Sequence, residues 1–160
     1  MMGTIKALRN IILVLSTVLA SCNLIDPAEP MRSSVVFAPE GMDDGYLHSL
    51  EILAMDLDRP MIVLSACESA LGKLERGEGV VGLTRSFLAA GSRGVVASLW
   101  PVSDESTAEL MSNFYDALWR RYSAAESLRQ ARARMLDSGE WGHPYYWAPF
   151  VAIGTEKTPW

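Results

Sequence analysis

The sequence predicts an α/β domain built on a mostly parallel sheet flanked by helices. Two runs, 61–65 (MIVLS) and 94–100 (GVVASLW), are almost wholly apolar, as expected for strands that are buried on both faces of a central sheet. Segments with helical spacing of apolar residues separate and follow these runs, and this alternation indicates parallel βαβ units. With 160 residues, 49% of them hydrophobic, the chain is long enough for one ordinary core.

The first half holds three further predicted elements. We expect a strand at 33–38, a short helix at 45–55 and a longer helix at 78–91. The longer helix places Val80, Leu83 and Phe87 on one face, and a glycine, Gly91, is the expected residue at its end.

The second half predicts two capped helices and a last strand. Ser103 and Asp104 begin the first helix, and Ser123 to Glu126 fits a capping box that opens the second. Ser138 and Gly139 end the second helix, and 149–154 supplies the strand. The buried positions predicted for these helices are Leu110, Met111, Phe114, Tyr115, Leu118, Leu128, Ala131 and Met135.

Charge and cysteine content exclude several function classes. A net charge of −5 argues against a nucleic-acid surface, which needs clustered Lys and Arg. The two cysteines, Cys22 and Cys67, have no metal-ligand spacing, so neither a zinc site nor a disulfide framework is indicated, and no other metal or cofactor is predicted. A reducing compartment is the simpler inference.

The N-terminus has two interpretations. Lys6 and Arg9 precede the apolar run 11–20, the layout of a signal peptide over residues 1–21, and LASC (19–22) resembles a bacterial lipobox that would make Cys22 a membrane anchor. Alternatively, Ile11 to Thr17 is a core strand of a cytoplasmic protein. Periodicity does not separate the two, and we expect the strand, paired beside 61–65.

Cys67 follows the first apolar run, where a sheet would place its chemistry. Ligands and reacting groups gather at the carboxyl ends of parallel strands, so Cys67 is a candidate nucleophile. The alternative is a small buried hydrophobic residue, since free cysteines are often buried.

Three motifs occur in order along the chain: VLSACESALG (63–72), GEGVVGLTRSFLAAGSRGVVASLWPVSDEST (77–107) and HPYYWAPFVAIG (143–154). Together they resemble the CHAT family, whose members are caspase-like domains often attached to tetratricopeptide repeats. The resemblance implies a caspase-like layered fold over 11–156 after an N-terminal segment 1–10, truncated at the N-terminus. It also implies cysteine endopeptidase chemistry through a His–Cys dyad, with a protein or peptide as substrate or partner. A sheet that lacks its first strands would leave an edge open to pairing with another chain.

By this resemblance Cys67 occupies the nucleophile position. In caspases the catalytic His lies about 50 residues upstream, and the stretch around Val18 resembles the family's His segment, with Val14 and Val18 at the two His positions. Leu19 stands where the family has the glycine of its oxyanion hole. We therefore expect a catalytically impaired, peptidase-like module. Two rival functions remain: an active endopeptidase that takes its base from His48, His143 or a partner chain, and a lipid-anchored extracytoplasmic binding protein.

The remaining candidates each have a structural alternative. His48 is expected to be a surface or helix-face residue, and His143 is expected to have a structural role before the last strand. Glu68 and Ser69 are candidates to orient substrate, or they are simply polar residues of a turn. Trp100 and Asp104 are candidates to wall the substrate pocket, although core packing for Trp100 and helix capping for Asp104 are favoured. A further aromatic group is predicted to be core around the last strand: Trp141, Tyr145, Tyr146, Trp147 and Phe150.

Overall fold

In the computed structural model, the described residues are 13–15, 23–24, 33–36, 45–64, 78–100 and 102–154. The strands in these ranges are β1 (Leu13–Leu15), β2 (Asn23–Leu24), β3 (Ser34–Val36), β4 (Tyr46–His48), β5 (Met61–Leu64), β6 (Gly94–Ser98) and β7 (Phe150–Gly154). The α-helices are α1 (Ser49–Leu53), α2 (Glu78–Ala89), α3 (Asp104–Trp119) and α4 (Ala124–Ser138), and a 3-10 helix spans Pro144–Tyr146.

The main sheet has the order β1-β5-β6-β7. β5 is central and runs parallel to both neighbours, as predicted. β1 pairs with β5 from Leu13 opposite Ile62 to Leu15 opposite Leu64, so the strand interpretation of the N-terminal apolar run is confirmed for the three residues of β1. Cys22 lies outside the described residues.

Two layers of helices cover this sheet. Side chains alternate along β5, so Met61 and Val63 pack in one core and Ile62 and Leu64 in the other. The first core contains residues of α3 and α4, and the second contains residues of α1 and α2. This mixed α/β architecture is compatible with the caspase-like layered fold that the sequence predicts.

The prediction of parallel pairing is wrong for two strands. β7 runs antiparallel to β6, from Ser98 opposite Phe150 to Gly94 opposite Gly154. β3, predicted correctly as a strand, belongs instead to a second, three-stranded antiparallel sheet with the order β2-β3-β4. Alternation of strands and helices predicts that some strands are joined by crossovers and run parallel. It does not show which strands pair antiparallel with a neighbour.

The predicted helix at 45–55 is wrong over its first part. Tyr46, Leu47 and His48 form β4, because they pair with β3, and the helix is confined to α1. His48 has an extended backbone, and its N–H donates to the carboxylate of Glu51 at 2.8 Å, which starts the helix one residue later. Pairing with a distant strand overrides local helical spacing here.

The C-terminal ends of α2 and α4 lie where the sequence predicts them. After α2, Gly91 has φ +102°, its N–H donates to the Leu88 carbonyl, and the Ser92 N–H donates to the Phe87 carbonyl. These two bonds form a Schellman motif. Gly139 ends α4 at φ +74°.

The predicted core faces of α3 and α4 are confirmed with one exception. Seven of the eight predicted positions are buried, and the exception is the half-buried Tyr115. The side chain of Ser123 caps α4 by accepting from the Glu126 N–H at 3.2 Å. The carboxylate of Glu126 accepts from Arg129 at 2.8 Å and Gln130 at 3.0 Å, pairings that the capping-box pattern does not predict.

Candidate functional site

Four strand ends meet at one edge of the main sheet, which we call the carboxyl edge. Because β1, β5 and β6 are parallel, their last residues Leu15, Leu64 and Ser98 lie along it, and β7 begins there with Phe150 opposite Ser98. This is the edge at which α/β sheets place their reactive groups. The chain leaves β5 here, and Cys67 follows three residues after Leu64.

Several predicted site residues lie outside the described part of the chain. These are Cys67, Glu68, Ser69, Val18 and Leu19. Their roles therefore stay predictions. Val14 is within β1, opposite Val63 of β5.

Hydrogen bonds join the segment that follows β6 to the segment that precedes β7. The Ser98 hydroxyl donates to the Trp100 carbonyl at 2.6 Å, and the Leu99 N–H donates to the Pro149 carbonyl at 3.0 Å. The indole N–H of Trp100 donates to the Tyr145 carbonyl at 3.1 Å. These bonds hold Trp100 at the carboxyl edge in a defined orientation.

Trp100 is half-buried and packs against the core formed with α3 and α4. The packing interpretation of this residue is therefore confirmed. Its role as a pocket wall stays a prediction.

Asp104 is the first residue of α3, and the helix cap is the residue before it. The Ser103 hydroxyl accepts from the Ser106 N–H at 3.3 Å, so Ser103 is the N-cap. Asp104 is exposed, and its carboxylate and that of Glu105 lie in the first turn, where negative charge interacts favourably with the helix dipole. The expected capping role of Asp104 is thus corrected to a first-turn charge.

The two histidines make local contacts. His48 is partly buried in the antiparallel sheet, opposite Ser34, and its ring stacks on that of Tyr46 with centroids 6.0 Å apart. His48 lies at the end of β4, directly before α1, so of the two predicted placements, surface or helix face, the helix face is wrong. The Nδ1 of exposed His143 accepts from the Tyr145 N–H at 3.2 Å and caps the 3-10 helix, which confirms its structural role.

The aromatic residues before β7 pack on one another and on the core. The rings of Trp141 and Tyr146 meet edge to face with centroids 5.1 Å apart, and Tyr145 meets Tyr146 in the same way at 5.6 Å. Phe150 is fully buried, and Trp147 is half-buried against the same core. The packing prediction is confirmed apart from Tyr145, which is 44% exposed.

Comparison with known proteins gives a family match over most of the chain. The CHAT domain model matches residues 3–155. This chain belongs to the CHAT domain family. Tetratricopeptide repeat protein 28 from Mus musculus is 34% identical over 110 residues, and its Homo sapiens counterpart is 33% identical over the same length. Each match covers 69% of this chain but only 4% of the relative, so this CHAT domain corresponds to a small part of those proteins.

Membership in this family supports a caspase-like, peptidase-type domain. Among the described residues, no group of His, Cys, Asp or Glu is arranged to hold a metal ion. No helix within the described ranges is long and apolar enough to cross a membrane.

Two polar residues at the carboxyl edge of this CHAT domain are not among the candidates that the sequence indicates. Ser98 is buried at the end of β6 and orients the Trp100 segment. The guanidinium of Arg132 donates to the Phe150 carbonyl, which ties α4 to the start of β7, and burial lowers the pKa of this guanidinium. A serine in an apolar strand and an arginine four residues after buried Leu128 are the signals that could have found them.

Proposed function

We propose that this CHAT domain is a degenerate caspase-like peptidase module. In this proposal Cys67 occupies the nucleophile position, Val18 replaces the base, and the domain acts through protein contacts instead of peptide cleavage.

The register of β1 against β5 is the observation that carries the proposal. Leu15 lies opposite Leu64, and Val18 and Cys67 each follow this pair by three residues. Neighbouring strands are about 4.8 Å apart. The register sets the last residues of β1 and β5 side by side, and we propose that positions 18 and 67, which follow these strands in the sequence, contribute to one site. Valine at position 18 has no atom that can accept a proton.

Loss of the base has a defined chemical effect. A free thiol has a pKa near 8.5 and is only a few per cent thiolate at neutral pH. A positioned general base contributes about 10² to 10⁴ in rate. Leu19 in place of the family's glycine would further weaken stabilisation of an oxyanion. Peptide cleavage is then expected near background.

His143 is a poor substitute for the missing base. Its Nδ1 accepts the Tyr145 N–H, so the neutral ring carries its proton on Nε2. A ring held in this tautomer has no free nitrogen lone pair for the thiol proton. His48 is engaged in the second sheet, where its ring stacks on Tyr46. These contacts favour the degenerate module over an active peptidase.

A role in protein contacts also fits the relatives. The curated proteins that this chain resembles are named for tetratricopeptide repeats. We propose that the domain acts in a protein assembly, with a protein or peptide as its partner.

Peptide cleavage by the purified chain tests the proposal. We expect that a mixed peptide library is cleaved no faster by the wild-type chain than by Cys67→Ala. Val18→His combined with Leu19→Gly should raise cleavage above both. Leu50→His adds an imidazole at an exposed position, 61% accessible on α1, and should not raise it.

Cleavage by the wild-type chain that disappears in Cys67→Ala would contradict the proposal. If the same cleavage is also lost in His48→Ala or in His143→Ala, that histidine is the base.

A further inference from the structure

The end of α3 and all of α4 carry a positive excess in an acidic protein. Residues 116–137 contain five arginines and three acidic residues, whereas the whole chain has a net charge of −5. The two helices pack against each other, so these arginines belong to one helical hairpin. Charge is therefore segregated in a way that the net value hides.

Arg129, Arg132 and Arg134 are engaged within the hairpin or against the sheet, and Arg121 makes a further interaction. Arg129 pairs with Glu126 at 2.6 Å, and Arg134 lies 3.5 Å from the Asp116 carboxylate. Arg132 donates to the Phe150 carbonyl. Arg120, the C-cap residue of α3, is exposed, and within the described part of the chain no carboxylate pairs with it.

Trp119 precedes this arginine and is 88% exposed, more than any other large hydrophobic residue that the structure describes. Trp100, Trp141 and Trp147 are each partly buried against the core. Tyr122, in the turn to α4, is 42% exposed. We call Trp119, Arg120 and Tyr122 the Trp119 surface.

The Trp119 surface lies far from the carboxyl edge. α3 begins at that edge and has 16 residues, so its last residue is about 22 Å from its first along the helix axis. A shallow groove beside the start of α4 is lined by Ala124, Met61 and Gly94, the last two being the first residues of β5 and β6. The Trp119 surface is thus near the opposite edge of the sheet.

We propose that the Trp119 surface docks an acidic peptide segment of a protein partner. An apolar side chain of that segment covers the indole, and a carboxylate pairs with Arg120. Tryptophan, tyrosine and arginine are the residues most enriched in binding hot spots. The hairpin already holds two carboxylates on its other arginines, and Arg129 binds Glu126 through two nitrogens. Charge complementarity therefore selects a carboxylate-bearing partner.

A nucleic acid fits this surface less well. Affinity for nucleic acid grows with the number of phosphates neutralised. Four of the five arginines already make interactions, and the rest of the chain is strongly acidic. A short acidic peptide needs only one or two cationic contacts beside the aromatic rings.

Selection from a random dodecapeptide display library on the intact 160-residue chain tests the proposal. We expect enrichment of peptides that are rich in Asp and Glu and contain at least one Leu, Phe or Trp. A selected peptide, synthesised with a fluorescent label, should bind at least about 10-fold more weakly to Trp119→Ala. It should also bind more weakly to Arg120→Gln, and more weakly to the wild-type chain as salt is raised.

Matched variants locate the effect. Leu136→Ala removes another exposed apolar side chain, and Arg85→Gln removes an exposed arginine of α2; both should bind the peptide like wild type. Circular dichroism should show that Trp119→Ala folds normally, since its side chain packs little. Enrichment of peptides without acidic residues, or binding that is unaffected by Trp119→Ala, would overturn the proposal. So would a Trp119-dependent dimer, or tighter binding of a 12-nucleotide single strand than of the peptide.

Discussion

Replacing Gly91 with alanine tests the turn that sets β6 beside β5. Gly91 has φ +102°, and a Cβ at this position would lie 2.5 Å from the Leu57 carbonyl oxygen. That oxygen belongs to a backbone segment held in place by the Leu57 N–H, which donates to the Ala90 carbonyl at 2.8 Å. The neighbouring backbone therefore cannot move aside without breaking this bond.

The expected cost has two parts. A left-handed backbone costs a non-glycine residue about 1–2 kcal/mol. Relief of the contact with the Leu57 carbonyl requires a backbone shift, which costs about 1–3 kcal/mol, as overpacking does. We therefore expect Gly91→Ala to lower the free energy of unfolding by about 2–5 kcal/mol, a large part of the stability of a typical domain.

Two other glycines separate these costs. Gly139 has φ +74°, but a Cβ there has no neighbour within 4 Å, so Gly139→Ala should cost only about 1–2 kcal/mol. Gly142 has neither feature, and Gly142→Ala should be neutral or stabilising by up to about 1 kcal/mol. Urea denaturation followed by far-ultraviolet circular dichroism measures all three. A loss for Gly91→Ala no larger than that for Gly139→Ala would refute the close approach of the Leu57 carbonyl.

Three further predictions concern α3 and α4. Burial raises the pKa of Tyr115 to about 12, so the unfolded chain loses this proton first, near pH 10, and stability falls between pH 10 and 12. At pH 11, urea denaturation of Tyr115→Phe should show a decrease in the free energy of unfolding that is about 1 kcal/mol smaller than in wild type. An equal decrease in both proteins would contradict this. Hydrogen bonds from Arg129 and Gln130 lower the pKa of Glu126 to about 2. The ionised carboxylate therefore stabilises the folded state above about pH 4.5, and this stabilisation is lost as pH falls towards 2. Glu126→Gln should lower Tm at pH 6 and leave it unchanged at pH 2; equal shifts at both would count against the pairing. Ser103→Ala removes the α3 cap and should cost about 1 kcal/mol by urea denaturation, whereas no loss would show that the cap is dispensable.

Sequence reasoning worked where structure is local. The apolar runs predicted β5 and β6, and the caps at Gly91, Ser103 and Ser123 predicted helix ends, because each signal acts within a few residues. It failed where pairing between strands determines the structure. Pairing with β3 turns residues 46–48 into a strand, and no local pattern specifies that β7 is antiparallel to β6.

The surroundings of the candidate site were predictable in part. The apolar run 61–65 predicted β5, which precedes Cys67 in the sequence, and the packing of Trp100 follows from its apolar context, whereas the role of Cys67 stays a prediction. The bonds made by Ser98 and Arg132 depend on which backbone carbonyls tertiary packing brings near, so residue type alone did not reveal them. The Trp119 surface was hidden for a different reason, because a net charge says nothing about charge distribution.

The pH dependence of Cys67 alkylation tests the central claim most directly. In a Cys22→Ser chain Cys67 is the single thiol, and its reaction with iodoacetamide reports the thiolate fraction. Without a base the rate should rise with pH, with a midpoint between about 8 and 9. Adding Val18→His and Leu19→Gly should move the midpoint lower. A wild-type rate that is already constant below pH 7 would show that an imidazole activates Cys67 and would contradict the account.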